Sequence, residues 1–167
     1  MKNVLFSSWK KSFEITRTDI DELAHRATLS GDQRARICLH RTHADPVQEM
    51  IIAMTPHSYV RPHRQCGFEK SYVLIAGELS FYYFDDRGTI TRTHQFSNSS
   101  IVASRFDAGQ WHSVRTMGTN VAIYLETLRG PFHRRNTEWA DWAPGVSDTR
   151  AIESFLMKLS QATPSHS

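Results

Sequence analysis

The residues able to do chemistry gather in two short stretches. Tyr59-Val60-Arg61-Pro62-His63-Arg64-Gln65-Cys66-Gly67-Phe68-Glu69-Lys70 sets an imidazole, an amide, a carboxylate and an amine just ahead of the apolar run Tyr72 to Ala76, which Gly77 stops. Far downstream, Asp107-Ala108-Gly109-Gln110-Trp111-His112 supplies a second imidazole. On neighbouring strands, two imidazoles and a carboxylate make a donor set for a divalent transition metal such as zinc, nickel or iron. Its ligands would be His63, Glu69 and His112, with the neutral amide oxygen of Gln65 as a fourth. Without a metal, the same stretch makes an acid–base pocket: a histidine serves as the base and Lys70 as a fixed charge for a phosphate or carboxylate. Strand parity bears on the choice. Lys70 shares a face with Tyr72 and Leu74, so Glu69 points inward only across a local bulge.

A second group of polar residues precedes these. In Arg36-Ile37-Cys38-Leu39-His40, alternation puts Arg36, Cys38 and His40 on one face and Ile37, Leu39 and Arg41 on the other. Arg36 and His40 either face a ligand or belong to a solvated edge strand. Arg61 either joins them or ends a surface strand. With Lys70 and Tyr72 they make up the candidate ligand pocket, suited to an anionic or sugar-like small molecule. Histidines hydrogen-bonded inside a barrel without any ligand are the plain alternative for His63 and His112.

These residues need strands to position them, and the pattern supplies strands in quick succession. Val47 to Met54 is an apolar run of strand length, and Tyr72 to Ala76 follows the first motif. Leu79 to Phe84, Thr89 to Phe96, Ile101 to Phe106, Trp111 to Arg115 and Val121 to Thr127 come next, with turn signals between them. Phe13 to Thr16 reads as one more short strand. This succession argues an all-β sandwich or barrel. Ile20, Leu23, Ala24 and Ala27 recur at helical spacing and predict a helix from about Asp19 to Ala27, started at Thr18 or Asp19. Ile152, Phe155, Leu156 and Leu159 predict a second over Thr149 to Gln161. The chain divides into an N-terminal segment with a helix (1–33), a β-barrel (34–135), and a C-terminal segment with a helix and a loose tail from Ala162 (136–167).

Composition narrows the field. The 167 residues suit one domain, with 40% hydrophobic and 22% charged residues. The formal charge is +3, with the basic residues scattered and His133-Arg134-Arg135 the densest cluster, which disfavours a nucleic-acid reader. No apolar run approaches the ~20 residues of a bilayer span. The start of the chain lacks a signal-peptide pattern, so a cytoplasmic location is expected. Cys38 and Cys66 are read as reduced thiols.

The motifs also carry a resemblance. Arg36 to His40, Asp45-Pro46-Val47-Gln48, Tyr59 to Arg64, Phe84-Asp85-Asp86-Arg87-Gly88, Ala108 to His112, Gly130-Pro131-Phe132 and Trp142-Ala143-Pro144, in that order, resemble the WbuC-type cupin-fold metalloproteins. The resemblance runs from about residue 15 to residue 144. It implies a cupin jelly-roll barrel with the helices packed outside, often paired as a homodimer. It also implies a link to bacterial O-antigen and polysaccharide biosynthesis, with a sugar or sugar nucleotide as the small molecule. The general cupin pattern has a second histidine where this chain has Gln65 and a glutamate where it has Lys70, and Asp107 stands at a usual proline. A binding or regulatory cupin that has lost the full metal set is therefore the alternative reading.

Overall fold

The computed structural model describes residues 4–6 and 14–162. The short strand predicted from Phe13 begins outside that range, and Glu14 to Thr16 is irregular chain leading to a helix cap. Most of the predicted tail also lies outside it. The described strands are β1 (Val4–Phe6), β2 (Arg34–Cys38), β3 (Val47–Met54), β4 (His63–Gln65), β5 (Lys70–Ala76), β6 (Leu79–Phe84), β7 (Ile90–Phe96), β8 (Ala103–Phe106), β9 (Trp111–Thr116), β10 (Ala122–Arg129) and β11 (Thr137–Trp139). Helix α1 spans Arg17–Leu29 and α2 spans Thr149–Ser160.

The strands form two sheets, in the orders β1-β2-β3-β10-β5-β8 and β11-β4-β9-β6-β7. This is the all-β arrangement the strand succession predicts, in the jelly-roll form that the resemblance implies. β2 is not an edge: it lies between β1, which runs parallel to it, and β3. β11 extends the second sheet beyond residue 135, so the C-terminal segment helps to build the barrel.

Each helix closes an outer face. Helix α1 starts two residues earlier than its apolar spacing predicts, because Thr16 caps it: the Asp19 N–H donates to Thr16 Oγ1, and Thr16 N–H donates back to the Asp19 carboxylate. Its Ile20, Leu23 and Ala27 pack on Ala35, Ile37, Ile51, Ala53 and Ile123 of the first sheet. Helix α2 lays Phe155, Leu156 and Leu159 against Tyr82, Phe84, Trp111 and Trp142 outside the second sheet.

Between the sheets, Tyr72, Phe81, Phe96 and Phe106 stack with ring centroids 4.7–5.0 Å apart. Gly77 ends β5 at φ +77, where a Cβ would stand 2.7 Å from the Val121 carbonyl oxygen; only glycine lets the turn pass β10 so closely.

Candidate functional site

Strand alternation decides which polar residues enter the barrel. On β5, Lys70, Tyr72 and Leu74 face inward, opposite Leu128, Glu126 and Tyr124 of β10. Glu69, one residue before Lys70, falls on the outside. It is half-exposed and meets Arg105 at 3.2 Å. Its place among the metal ligands is thereby corrected, for no bulge turns it inward. The second sheet supplies the histidines: His63 of β4 lies directly across from His112 of β9, with ring centroids 4.5 Å apart. Tyr83 of β6 pairs with His112 on its other side.

Lys70 reaches across to this pair. Its Nζ lies 3.4 Å from His63 Nε2 and 3.6 Å from Glu126 Oε2, and the lysine is only 5% exposed. Both imidazoles have their tautomer set from behind. His63 Nδ1 lies 3.0 Å from the Arg61 carbonyl and His112 Nδ1 lies 2.9 Å from the Gln110 carbonyl. A carbonyl can only accept, so each Nδ1 carries the proton and each Nε2 presents a lone pair inward. The Lys70 ammonium donates to the one on His63. The one on His112 is buried with no partner.

The electrostatics follow from burial and like charge. Burial, then His112, Lys70 and Arg34, hold the His63 pKa well below the ordinary histidine value. Burial, then Lys70, push His112 down to about 3. Both rings are neutral bases at pH 7. Burial also lowers the Lys70 amine, opposed by the Glu126 carboxylate. Burial, helped by Glu126, raises the Tyr72 phenol, which stays protonated.

The remaining expected residues divide. Gln65 is buried, but its Oε1 accepts from Thr137 Oγ1 at 3.1 Å, so the amide oxygen is engaged with the neighbouring strand. Arg61 donates to the Ala140 carbonyl at 2.7 Å and fastens the chain beyond β11; it serves the fold there and leaves the pocket. His40 lies past the end of β2, with Nδ1 3.0 Å from the Glu49 carbonyl, and the structure does not bring it to the histidine pair. Arg36 does face inward, opposite Ile52. Two interior residues escaped the sequence reading. Arg34 shares the face of Arg36, two positions earlier on one strand. Glu126 interrupts the apolar run of β10, where an inward carboxylate needs a cation.

The fit of a transition metal can be tested on these donors. Two imidazole Nε2 atoms converge, the amide is engaged, Glu69 is outside, and an ammonium stands beside them. Among the described residues, no three or more histidine, cysteine, aspartate or glutamate side chains group closely enough to hold a metal. Two neutral ligands next to a fixed positive charge do not fit a resident divalent ion, which wants three or four strong donors.

A family model for a domain of unknown function (DUF6016) matches residues 15–96. No curated protein matches the chain. Among solved structures, the capsular polysaccharide assembling protein CapF from Staphylococcus aureus is 11% identical, with a TM-score of 0.52, over 64% of this chain and 31% of that one. A sugar phosphate isomerase of the cupin superfamily from Silicibacter pomeroyi is 15% identical, with a TM-score of 0.47, over 58% of this chain and 59% of that one. An oxalate decarboxylase from Lactobacillus farciminis is 15% identical, with a TM-score of 0.48, over 71% and 35%. The chain thus spans less than two thirds of the length of each, and at these identities the likeness is one of fold. The two antiparallel-rich sheets, with a helix outside each, form a jelly-roll barrel.

Proposed function

We propose that the protein is a small-molecule cupin in which the Lys70 ammonium takes the part of the metal ion. The observation that carries this is the position of Lys70 Nζ, between His63 Nε2 and the Glu126 carboxylate inside the barrel. A buried ammonium costs several kcal/mol to desolvate unless it is paired, and Glu126 provides the pair. A point charge so held can attract a carboxylate, a phosphate or a developing enolate oxygen.

The ligand in this reading is a sugar or sugar nucleotide of bacterial polysaccharide or O-antigen biosynthesis. The motif resemblance to the WbuC-type cupins supports that setting, as does the shared fold with CapF. A homodimer in the cytoplasm belongs to the same reading. If the bound molecule reacts, the neutral His112 Nε2 is the free base for a proton beside a carbonyl, and Lys70 holds the oxygen on which charge develops. If it does not react, the same pocket serves a binding or regulatory protein.

The test is calorimetric titration of metal-stripped protein with a panel of sugars, sugar phosphates and sugar nucleotides. Saturable binding that disappears in a Lys70→Met/Glu126→Leu variant is expected; a panel without any binder would refute the reading.

Zinc, nickel or iron held by His63 and His112 is the second reading. It is favoured by the buried, unpartnered His112 Nε2 and by the Nδ1–H···O=C bonds behind both rings, which also orient metal-binding histidines. Metal analysis of protein purified without added metal separates the two. About one equivalent per chain, lost in His112→Ala, would favour this reading.

A further inference from the structure

The inner face of the first sheet carries more positive charge than its carboxylates answer. Arg34 and Arg36 alternate along β2 with Ala35 and Ile37, which are packed under α1, so both guanidinium groups leave the strand on the barrel side. Arg36 has no hydrogen-bond or ion-pair partner among the described residues. Arg34 meets Asp32 only at 3.6 Å, and its Nε is buried without a partner. Across the sheet Arg34 pairs with Met54 and Arg36 with Ile52 of β3, and Ile52 pairs in turn with Tyr124 of β10, two residues from Glu126 on the same face. Glu126, the buried carboxylate there, is already committed to Lys70.

We infer that Arg34 and Arg36 are the anchor for the phosphate of a phosphorylated sugar, whose ring then extends toward Lys70, His63 and His112. This deepens the proposed function and rests on its assignment of the ligand to the barrel interior. Residues two apart on one strand face stand about 7 Å from each other, so two guanidinium forks approach one group from two sides. A phosphate monoester offers three oxygens and close to two negative charges, enough to engage both forks. A single carboxylate offers two oxygens and one charge. Arginine suits this task and lysine the other: the planar fork reads phosphate geometry, whereas the compact ammonium of Lys70 meets one oxygen at the far end. The ligand is therefore polar at both ends, with its doubly charged end at β2.

The experiment titrates D-glucose 1-phosphate into the full-length protein, its Arg34→Gln and Arg36→Gln variants, and the Lys70→Met/Glu126→Leu variant, with folding checked by circular dichroism. Each glutamine variant should bind about ten to one hundred times more weakly, the loss expected when a charge-assisted hydrogen bond is removed. Arg36→Lys, which keeps the charge and loses the fork, should fall between wild type and Arg36→Gln. Binding that survives both glutamine changes but not the Lys70 change would overturn the phosphate anchor and leave the pocket standing. Wild-type protein that binds no D-glucose 1-phosphate at millimolar concentration would overturn the anchor, and with it the claim that a sugar phosphate enters the barrel.

Discussion

The two faces of the first sheet are made by the same strands and follow opposite rules. Outward, Ala35, Ile37, Ile51, Ala53 and Ile123 meet Ile20, Leu23 and Ala27 of α1 in an apolar layer. Inward, the same strands present Arg34, Arg36, Glu126 and Lys70 among Ile52, Tyr72 and Tyr124. Hydrophobic burial stabilises the first face by about 25 cal/mol per Å². The second face spends stability on desolvated charges that a core of leucines would avoid. A chain needing only a folded barrel gains nothing from a buried ammonium beside two neutral histidines. The outer face is closed by α1 through apolar contact alone, whereas the inner face mixes the apolar core of Ile52, Tyr72 and Tyr124 with the charged groups where the ligand is proposed to bind.

Four perturbations sharpen or break this division. The largest effect is expected for Glu126→Ala, which strands the Lys70 ammonium in the barrel; chemical denaturation should show a loss of about 3–5 kcal/mol. Leu23→Ala, at a side chain 1% exposed under α1, should cost about 2–5 kcal/mol by the same method while ligand affinity stays unchanged. Equal damage to affinity from both substitutions would erase the distinction between the faces.

Acid comes next. His63 and His112 have folded pKa values below the unfolded histidine value, so between that value and the folded ones the unfolded chain binds more protons. Stability is therefore present in full above about pH 6.5 and is lost as pH falls below it, by up to about 1.4 kcal/mol per pH unit for each imidazole. For His112 this loss continues down to about pH 3. Urea midpoints measured for wild type and His112→Asn between pH 7 and pH 4 should differ in slope, the variant being flatter. The smallest stability change is expected for Lys70→Met/Glu126→Leu, where an apolar pair replaces an ion pair: neutral, or a gain of about 1–4 kcal/mol. A large loss there would mean that the inner charges hold the fold together.

Much of this was legible in the sequence because alternation is a strict rule. Period-two patterning put Lys70 and Tyr72 on one inward face and warned that Glu69 would need a bulge, while it left Arg36 between a ligand-facing position and an edge strand. The turn glycines marked the strand ends around His63 and His112. Other features depend on tertiary pairing and leave little local trace. Arg34 is one of a crowd of basic residues around Ile37, and only the pairing of β2 with β3 puts it on the inner face beside Arg36. Glu126 gains its meaning only from β5 lying beside β10, and Gln65 turned away because β11, formed far along the chain, offered Thr137. Arg61 and His40 are polar residues near the barrel that bond the backbone, Arg61 at the Ala140 carbonyl and His40 at Glu49, a use no spacing distinguishes from ligand binding. The cap at Thr16 was missed because Thr18 with Asp21 and Asp19 with Glu22 match the same signal.

The central claim is that Lys70 supplies the cation of this barrel. Its most direct test is calorimetric binding of D-glucose 1-phosphate to protein stripped of metal by chelation, beside the Lys70→Met/Glu126→Leu variant. The account predicts that the stripped wild type binds and that the variant, equally folded, does not. Binding lost on stripping and restored by zinc, nickel or iron would contradict it and return the site to a metal.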